Sequence, residues 1–252
     1  MHLRNSYYYY QGLLTPEICK KIINYGLNQI KDEESRGIDT SGITFDRTHK
    51  GGKRNRDISI GSKTVQQILK EYGKEALRER TFIRDSNVTF LDIKEINDIV
   101  WPIIHRGNYD AGWNFDIDFM ESLQFTVYKP GQFYGWHSDG GSDKFSAYKK
   151  LIPGVRSQSK AEEAQYVPKD ELVGKVRKIS ATINLNLPGE YEGGNLKFDF
   201  GDHTTDRYHE VTEIRPQGSI IVFPSFLKHQ VTPVTKGTRY SLVAWTVGRP
   251  FR

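Results

Sequence analysis

The sequence predicts a mainly β protein with a helical lead-in: a β-sandwich or barrel behind a supporting region of helices. Three observations carry this. The hydrophobic period changes from helical to two near residue 122. From there, short alternating segments follow one another, separated by Gly and Pro, the pattern of sandwiches and barrels. Their polar faces hold Asn and Thr at every second position, which suits a wet cavity better than a dry core.

The first 115 residues are expected to be mainly helical. Thr15 and Pro16 make a helix start, a hydroxyl cap followed by proline at the first helical position. Ile18, Ile22, Ile23 and Leu27 then share one face. Ser62 is read as the cap of a second helix with Val65, Ile68, Leu69 and Tyr72 inward. Asp92 and Glu95 have capping-box spacing ahead of Ile96, Ile99 and Val100. Between the first two helices, RTHKGGKRNR (47–56) holds five Lys or Arg and no acid, and reads as a mobile basic loop. Tyr7 to Tyr10 and Trp113 read as packing aromatics.

The β region is expected over 120–252. In SLQFTVYK, Leu123, Phe125 and Val127 oppose Gln124, Thr126 and Tyr128. In ISATINLNL (179–187), Ile179, Ala181, Ile183, Leu185 and Leu187 oppose Ser180, Thr182, Asn184 and Asn186. NLKFDF, SIIVF, HQVTPV and TRYSLVAWTV follow. Residues 140–178 interrupt the pattern with nine basic and five acidic residues, and read as an insertion loop or lid over the site. The whole of 1–252 is read as one domain, with no internal repeat.

Composition narrows the classes. Aromatic residues at 12% are too many for a disordered chain. No run reaches the roughly 18 apolar residues of a membrane span, and the start lacks a signal peptide's apolar stretch. The single cysteine, Cys19, excludes an intrachain disulfide framework and Cys-based metal sites, and suggests a reducing cytosol. The net charge of +5 is compatible with an anionic ligand but does not indicate nucleic acid.

Chemistry concentrates at two places. His137 and Asp139, two apart on an extended chain, point to one side and can grip one cation. A third ligand from elsewhere would complete the two-His-one-carboxylate set that holds non-haem iron(II) with positions open. Far downstream, His229 opens one predicted strand. Arg239 lies on the next, and Ser241 shares its face. A guanidinium beside a hydroxyl makes a forked receptor for a carboxylate. The bland readings are a turn at Asp139-Gly140-Gly141 and ordinary sheet histidines. His203 and His209 could form a second metal site, but a hairpin loop is the preferred reading. Trp136 is read as core.

Together these residues resemble the iron(II)- and 2-oxoglutarate-dependent oxygenases, in particular the prolyl 4-hydroxylase-like branch. The resemblance rests on Tyr128 and Tyr134 ahead of His137-Ser138-Asp139, the strand SATINLNLPGEYEGGNLKF, then His229 and Arg239; YYYYQGLLTPEICKKII resembles the branch's lead-in helix. It implies a double-stranded β-helix (jelly-roll, cupin-like) with N-terminal helices buttressing one sheet. It implies Fe(2+) held by His137, Asp139 and His229, with 2-oxoglutarate on Arg239 and hydrogen bonds added by Ser241, Tyr128 or Tyr134. Where animal oxygen-sensing relatives use a tyrosine to hold the cosubstrate, this chain has Asn184 or Thr182. Dioxygen is the co-reactant and ascorbate an admitted helper. The products would be succinate, carbon dioxide and a hydroxylated prolyl or other amino-acid residue of a peptide or protein. The alternatives are a free amino acid, a small metabolite or a nucleobase as substrate, or a non-catalytic cupin-like metal module.

Overall fold

The computed structural model describes residues 3–42, 44–45, 82–141, 172–201 and 207–251. Most of them lie in two antiparallel sheets facing each other, a double-stranded β-helix, with two helices against the outer face of the larger sheet. The expected Ser62 helix, the basic loop 47–56 and most of the 140–178 insertion lie outside the described residues.

Helix α1 (Pro16–Ser35) begins as the sequence predicts, with Thr15 Oγ1 accepting from the Ile18 amide at 3.4 Å. It buries Cys19, Ile22, Gly26 and Ile30. A Cβ on Gly26 would lie 2.2 Å from the Phe125 ring, so glycine lets the helix touch the sheet. Helix α2 (Lys94–Asp110) corrects the capping-box expectation. Its N-cap is Ile93, without a side-chain cap, and Asp92 Oδ1 accepts from the Asn97 side-chain Nδ2 at 3.2 Å instead.

The described residues of the N-terminal region also supply strands that the helical reading did not include. Strand β1 (Tyr8–Tyr10) and the short strands β2 (Thr44–Phe45), β3 (Phe82–Asp85) and β4 (Asn87–Leu91) come from it and extend both sheets. Downstream follow β5 (Phe119–Met120), β6 (Leu123–Tyr128), β7 (Phe133–His137), β8 (Val176–Asn184), β9 (Tyr191–Gly193), β10 (Leu196–Asp199), β11 (Tyr208–Val211), β12 (Ile220–Pro224), β13 (Lys228–Val231), β14 (Val234–Gly237) and β15 (Arg239–Gly248).

The larger sheet runs β1-β12-β8-β15-β6-β4, with β5 on β15; the smaller runs β11-β10-β13-β7-β3-β2. The alternation read in β6 and β8 sorts the two faces. Leu123, Phe125, Val127, Ile179, Ala181, Ile183 and Leu185 join the helices in the main core. Leu187 does not: it lies beyond the strand and is 49% exposed. Between the sheets, Ile221, Phe223, Leu196, Phe198, Val211 and Ile214 plug one end of the interior. The other end keeps polar side chains, and the site lies there. No described helix is long and apolar enough to cross a membrane.

Candidate metal and cosubstrate site

His137 ends β7 and His229 lies on β13. The two strands pair, with His137 opposite His229. Asp139 follows His137 by two residues and turns back between them. Its Oδ1 is 3.5 Å from His137 Nε2 and its Oδ2 is 3.5 Å from His229 Nε2. The donor atoms of all three lie within 4.8 Å of one another.

Both imidazoles are oriented by backbone. His137 Nδ1 donates to the Gly135 carbonyl at 2.8 Å and His229 Nδ1 to the Leu227 carbonyl at 2.9 Å. A carbonyl only accepts, so each Nδ1 carries a proton and each Nε2 faces the cluster. This is the outer support that metal-binding histidines use. Burial pushes His229 down to about 4, against the attraction of Asp139, so its ring is neutral at physiological pH. Burial also disfavours the Asp139 carboxylate, but His229, His137 and Arg177 outweigh it and hold the group well below the usual carboxylate range. An ionised carboxylate and two imidazoles that present Nε2 to it form a donor set fit for iron(II).

The segments bearing the ligands are tied to each other. The Ser225 carbonyl accepts from the Asp139 and Gly140 amides at 2.9 and 3.1 Å, and Ser138 Oγ donates to the Phe226 carbonyl at 3.1 Å. Arg177 adds a clamp that the sequence did not reveal. Its guanidinium makes two 2.7 Å contacts with Glu121, reaches the Asp139 carbonyl at 3.3 Å and lies 4.0 Å from the centroid of the Trp245 ring. Strict alternation would send Arg177 to the helix side. A bulge in β8, where Ile179 and Arg177 face successive residues of β15, re-aims it. A Cβ on Gly140 would come within 2.9 Å of Arg177 Cβ, so glycine is needed there.

Arg239 opens β15 at 2% exposure, and its Nη1 donates to Ser241 Oγ at 3.0 Å. Its Nε is buried without a hydrogen-bond partner, and among the described residues no carboxylate forms an ion pair with it. Buried charges are normally paired, so this guanidinium could receive an anion. A 2-oxoglutarate carboxylate fits that receptor.

Stacked side chains join the receptor to the ligands. The Arg239 guanidinium lies 5.4 Å from the Tyr128 ring centroid. Tyr128 packs with Tyr134, Val231 and Val234, and Tyr134 stacks on the His137 ring at 3.5 Å. Burial raises the Tyr134 pKa, so its hydroxyl keeps its proton. Arg84, another residue the sequence left unmarked, lies 4.7 Å from the Tyr134 ring centroid.

The remaining candidates divide. Asn184 is on the interior side of β8, but its amide group donates to the Arg215 carbonyl at 2.8 Å and the Asn186 carbonyl at 3.2 Å, and Tyr191 donates to its Oδ1 at 3.5 Å. Those bonds brace the barrel end. Thr182 is buried on the same face. His209 bonds Tyr7 at 2.9 Å on the β10–β11 hairpin, as the hairpin reading expects, while His203 lies outside the described residues. Trp136 is not core: it is half-buried and packs on Tyr208 at 5.3 Å on the outer face of the smaller sheet. Trp113 packs as expected, buried with its indole N–H on the Asn5 carbonyl at 2.6 Å.

Residues 123–247 match the family model described as the 2OG-Fe(II) oxygenase superfamily. The chain belongs to the 2OG-Fe(II) oxygenases. A PKHD-type hydroxylase of Picosynechococcus is 32% identical over 126 residues, 50% of this chain and 42% of the relative. The chain thus spans about two fifths of the length of the curated relatives it matches. Two solved structures share the fold of this oxygenase. The 2OG complex of viral collagen prolyl hydroxylase from Paramecium bursaria Chlorella virus-1 matches with a TM-score of 0.53 and 17% identity, covering 97% of each chain. A prolyl hydroxylase of Trichoplax adhaerens, in complex with a hypoxia inducible factor peptide fragment, matches with a TM-score of 0.52 and 15% identity, covering 96% of this chain and 83% of that one.

Proposed function

We propose that this oxygenase is an iron(II)- and 2-oxoglutarate-dependent hydroxylase that acts, in the cytoplasm, on a prolyl residue of a peptide or protein, releasing succinate and carbon dioxide. The observation that carries the cosubstrate reading is the buried Arg239, which has Ser241 beside it and no carboxylate partner among the described residues. A module that only stored a metal would have no use for that receptor. Iron with 2-oxoglutarate and dioxygen supplies the oxidising chemistry; the protein supplies placement and exclusion of water. His137, Asp139 and His229 would hold the metal from one side. Arg239 and Ser241 would fix the far carboxylate of the cosubstrate, and Tyr128 and Tyr134 would wall its path to the metal. Asn184 and Thr182 would shape the wall opposite. The peptide substrate is carried over from the prolyl hydroxylases that share the fold.

The test has two readouts. Iron-dependent succinate formation from 2-oxoglutarate should occur with the whole chain. Incubation with proline-containing peptides should add 16 Da at proline, seen by mass spectrometry. Metal binding without succinate formation would support the storage module. Succinate formation with addition to a free amino acid, a metabolite or a nucleobase, and none to peptides, would replace the prolyl substrate.

A further inference from the structure

A cavity of about 520 Å³ opens between the turn after α2, the start of β8 and the residues following β15. It lies at the far end of β15 from Arg239 and beside the segment that carries Asp139: the Lys178 carbonyl accepts from the Ser225 amide, and the Ser225 carbonyl from the Asp139 amide. Arg239 and Arg249 bracket β15, which puts them about 30 Å apart along the strand at ~3.3 Å per residue. One wall is aromatic. Trp113 and Phe115 stack at 5.8 Å, and Phe251 meets Phe115 edge-on at 4.9 Å. The polar lining sets three cations, Arg4, Lys178 and Arg249, against one carboxylate, Asp116.

Lys178 is the residue that needs explaining. It is 4% exposed, and its ammonium lies 3.6 Å from the Phe251 ring centroid. Among the described residues its ammonium has no hydrogen bond and no ion pair; the nearby Asp118 pairs with Lys175 at 3.2 Å. Burial pushes its pKa down, and Asp116 and Asp118 offset only part of this. A largely buried charge whose neighbouring carboxylates offset only part of its burial destabilises the fold, and a ring face compensates only in part. Methionine would fill the same space without that cost. Residues that lower stability without an evident structural return mark functional positions.

We propose that this cavity binds a small organic anion, its acidic head on Lys178 and its flat apolar body against Trp113, Phe115 and Phe251. The ammonium, held largely out of water, gives the head an electrostatic partner stronger than a fully solvated lysine would, and the exposed Arg4 and Arg249 steer anions to the mouth. The volume lies within the ~300–1,000 Å³ of small-molecule sites. The head is a carboxylate or a phosphate, two acids that this charge pattern receives alike.

Calorimetric titration of the full chain tests this. Iron and 2-oxoglutarate are held at saturation without oxygen, so that Arg239 is engaged and no turnover occurs. The probes are benzoate, phenyl phosphate and inorganic phosphate. One of the aromatic acids should bind with a stoichiometry of one, and the tighter of the two identifies the head. Inorganic phosphate, lacking the body, should bind at least tenfold more weakly. Lys178→Met should weaken binding at least tenfold and raise the melting temperature; Arg249→Ala, at the exposed rim, should weaken it about threefold. The proposal is overturned if neither aromatic acid binds, if inorganic phosphate binds equally well, or if either variant leaves affinity unchanged. A lower melting temperature in Lys178→Met would also overturn it, because the lysine would then be structural.

Discussion

The two sheets that face each other are built to different standards of burial. In the larger sheet, β6 and β12 are buried throughout and β8 nearly so, because helices cover one face and the smaller sheet the other. In the smaller sheet, β7 is half-buried along its length, and the outer face presents Trp136 and a Tyr208 that is 57% exposed. On the proposed function, each half of the chemistry would sit on the sheet that suits it. The anion receptor needs exclusion of water, since a charge contact strengthens as solvent is removed, and Arg239 belongs to the sheet buried on both faces. Ligands of the proposed metal would have to be reached by a substrate, and His137 and His229 belong to the open sheet. Asp139 and its Arg177 clamp join the two.

The contrast can be broken most severely at the metal. His137→Ala, Asp139→Ala and His229→Ala should each abolish iron-dependent succinate formation while circular dichroism shows a folded protein. The loss should exceed the roughly 10–100-fold seen when only an outer partner of a ligand is removed. A folded variant that keeps near-normal turnover would remove its residue from the metal set.

Arg239→Ala comes next. A charge-assisted contact contributes about 1.5–3 kcal/mol, so affinity for 2-oxoglutarate should fall about ten- to a hundredfold while iron affinity stays nearly constant. Arg239→Lys should recover part of it, because the charge survives and the fork does not. Equal losses for iron and cosubstrate would merge the two functions that the sheets separate.

The packing contrast calls for a pair of variants. Gly26→Ala pushes a methyl group against the Phe125 ring on the doubly buried sheet and should cost ~1–3 kcal/mol in denaturant unfolding. Trp136→Ala, on the open sheet, loses chiefly its contact with Tyr208 and should cost ~1 kcal/mol or less. The reverse ranking would show that the open face is more closely packed than its exposure implies.

The smallest effect concerns pH. Hydrogen bonds from Arg207, aided by the Gly201 amide and by Lys228 and opposed by burial, hold the Asp199 carboxyl down at about 2. An unfolded aspartate titrates near ~3.9. The folded state therefore gains stability from this group above that value and loses it as pH falls toward 2. Asp199→Asn should be slightly less stable than the parent at neutral pH, and the difference should vanish on acidification through that window. A difference that persists at pH 2 would assign it to packing instead.

Much of this site could be read from residue spacing. His137 with Asp139, and Arg239 with Ser241, are two apart on extended chain, and strand period puts each pair on one face; His229, far downstream, joined them through the family resemblance. The same rule failed at Arg177, because a one-residue bulge reverses the alternation and bulges leave no periodic trace. It also failed for the N-terminal strands. Tyr8–Tyr10 pairs with β12 more than 200 residues away, and a strand that short has no measurable period of its own. Asn184 shows a further limit. Position on the interior face was legible, but not that neighbouring carbonyls take its amide. Trp136 was misread because alternation separates two faces without saying which one meets solvent.

Arg239 also bears on how much of the protein survives in a cell. A native state that carries a buried, unmatched guanidinium is stabilised by whatever neutralises it, and the unfolded chain is not. By mass action, 2-oxoglutarate at a hundred times its dissociation constant would add about 2.7 kcal/mol to folding. A change of that size can alter steady-state abundance several-fold, because quality control removes the unfolded fraction continuously. The supply of one metabolite would then set both the rate of this enzyme and the number of its copies.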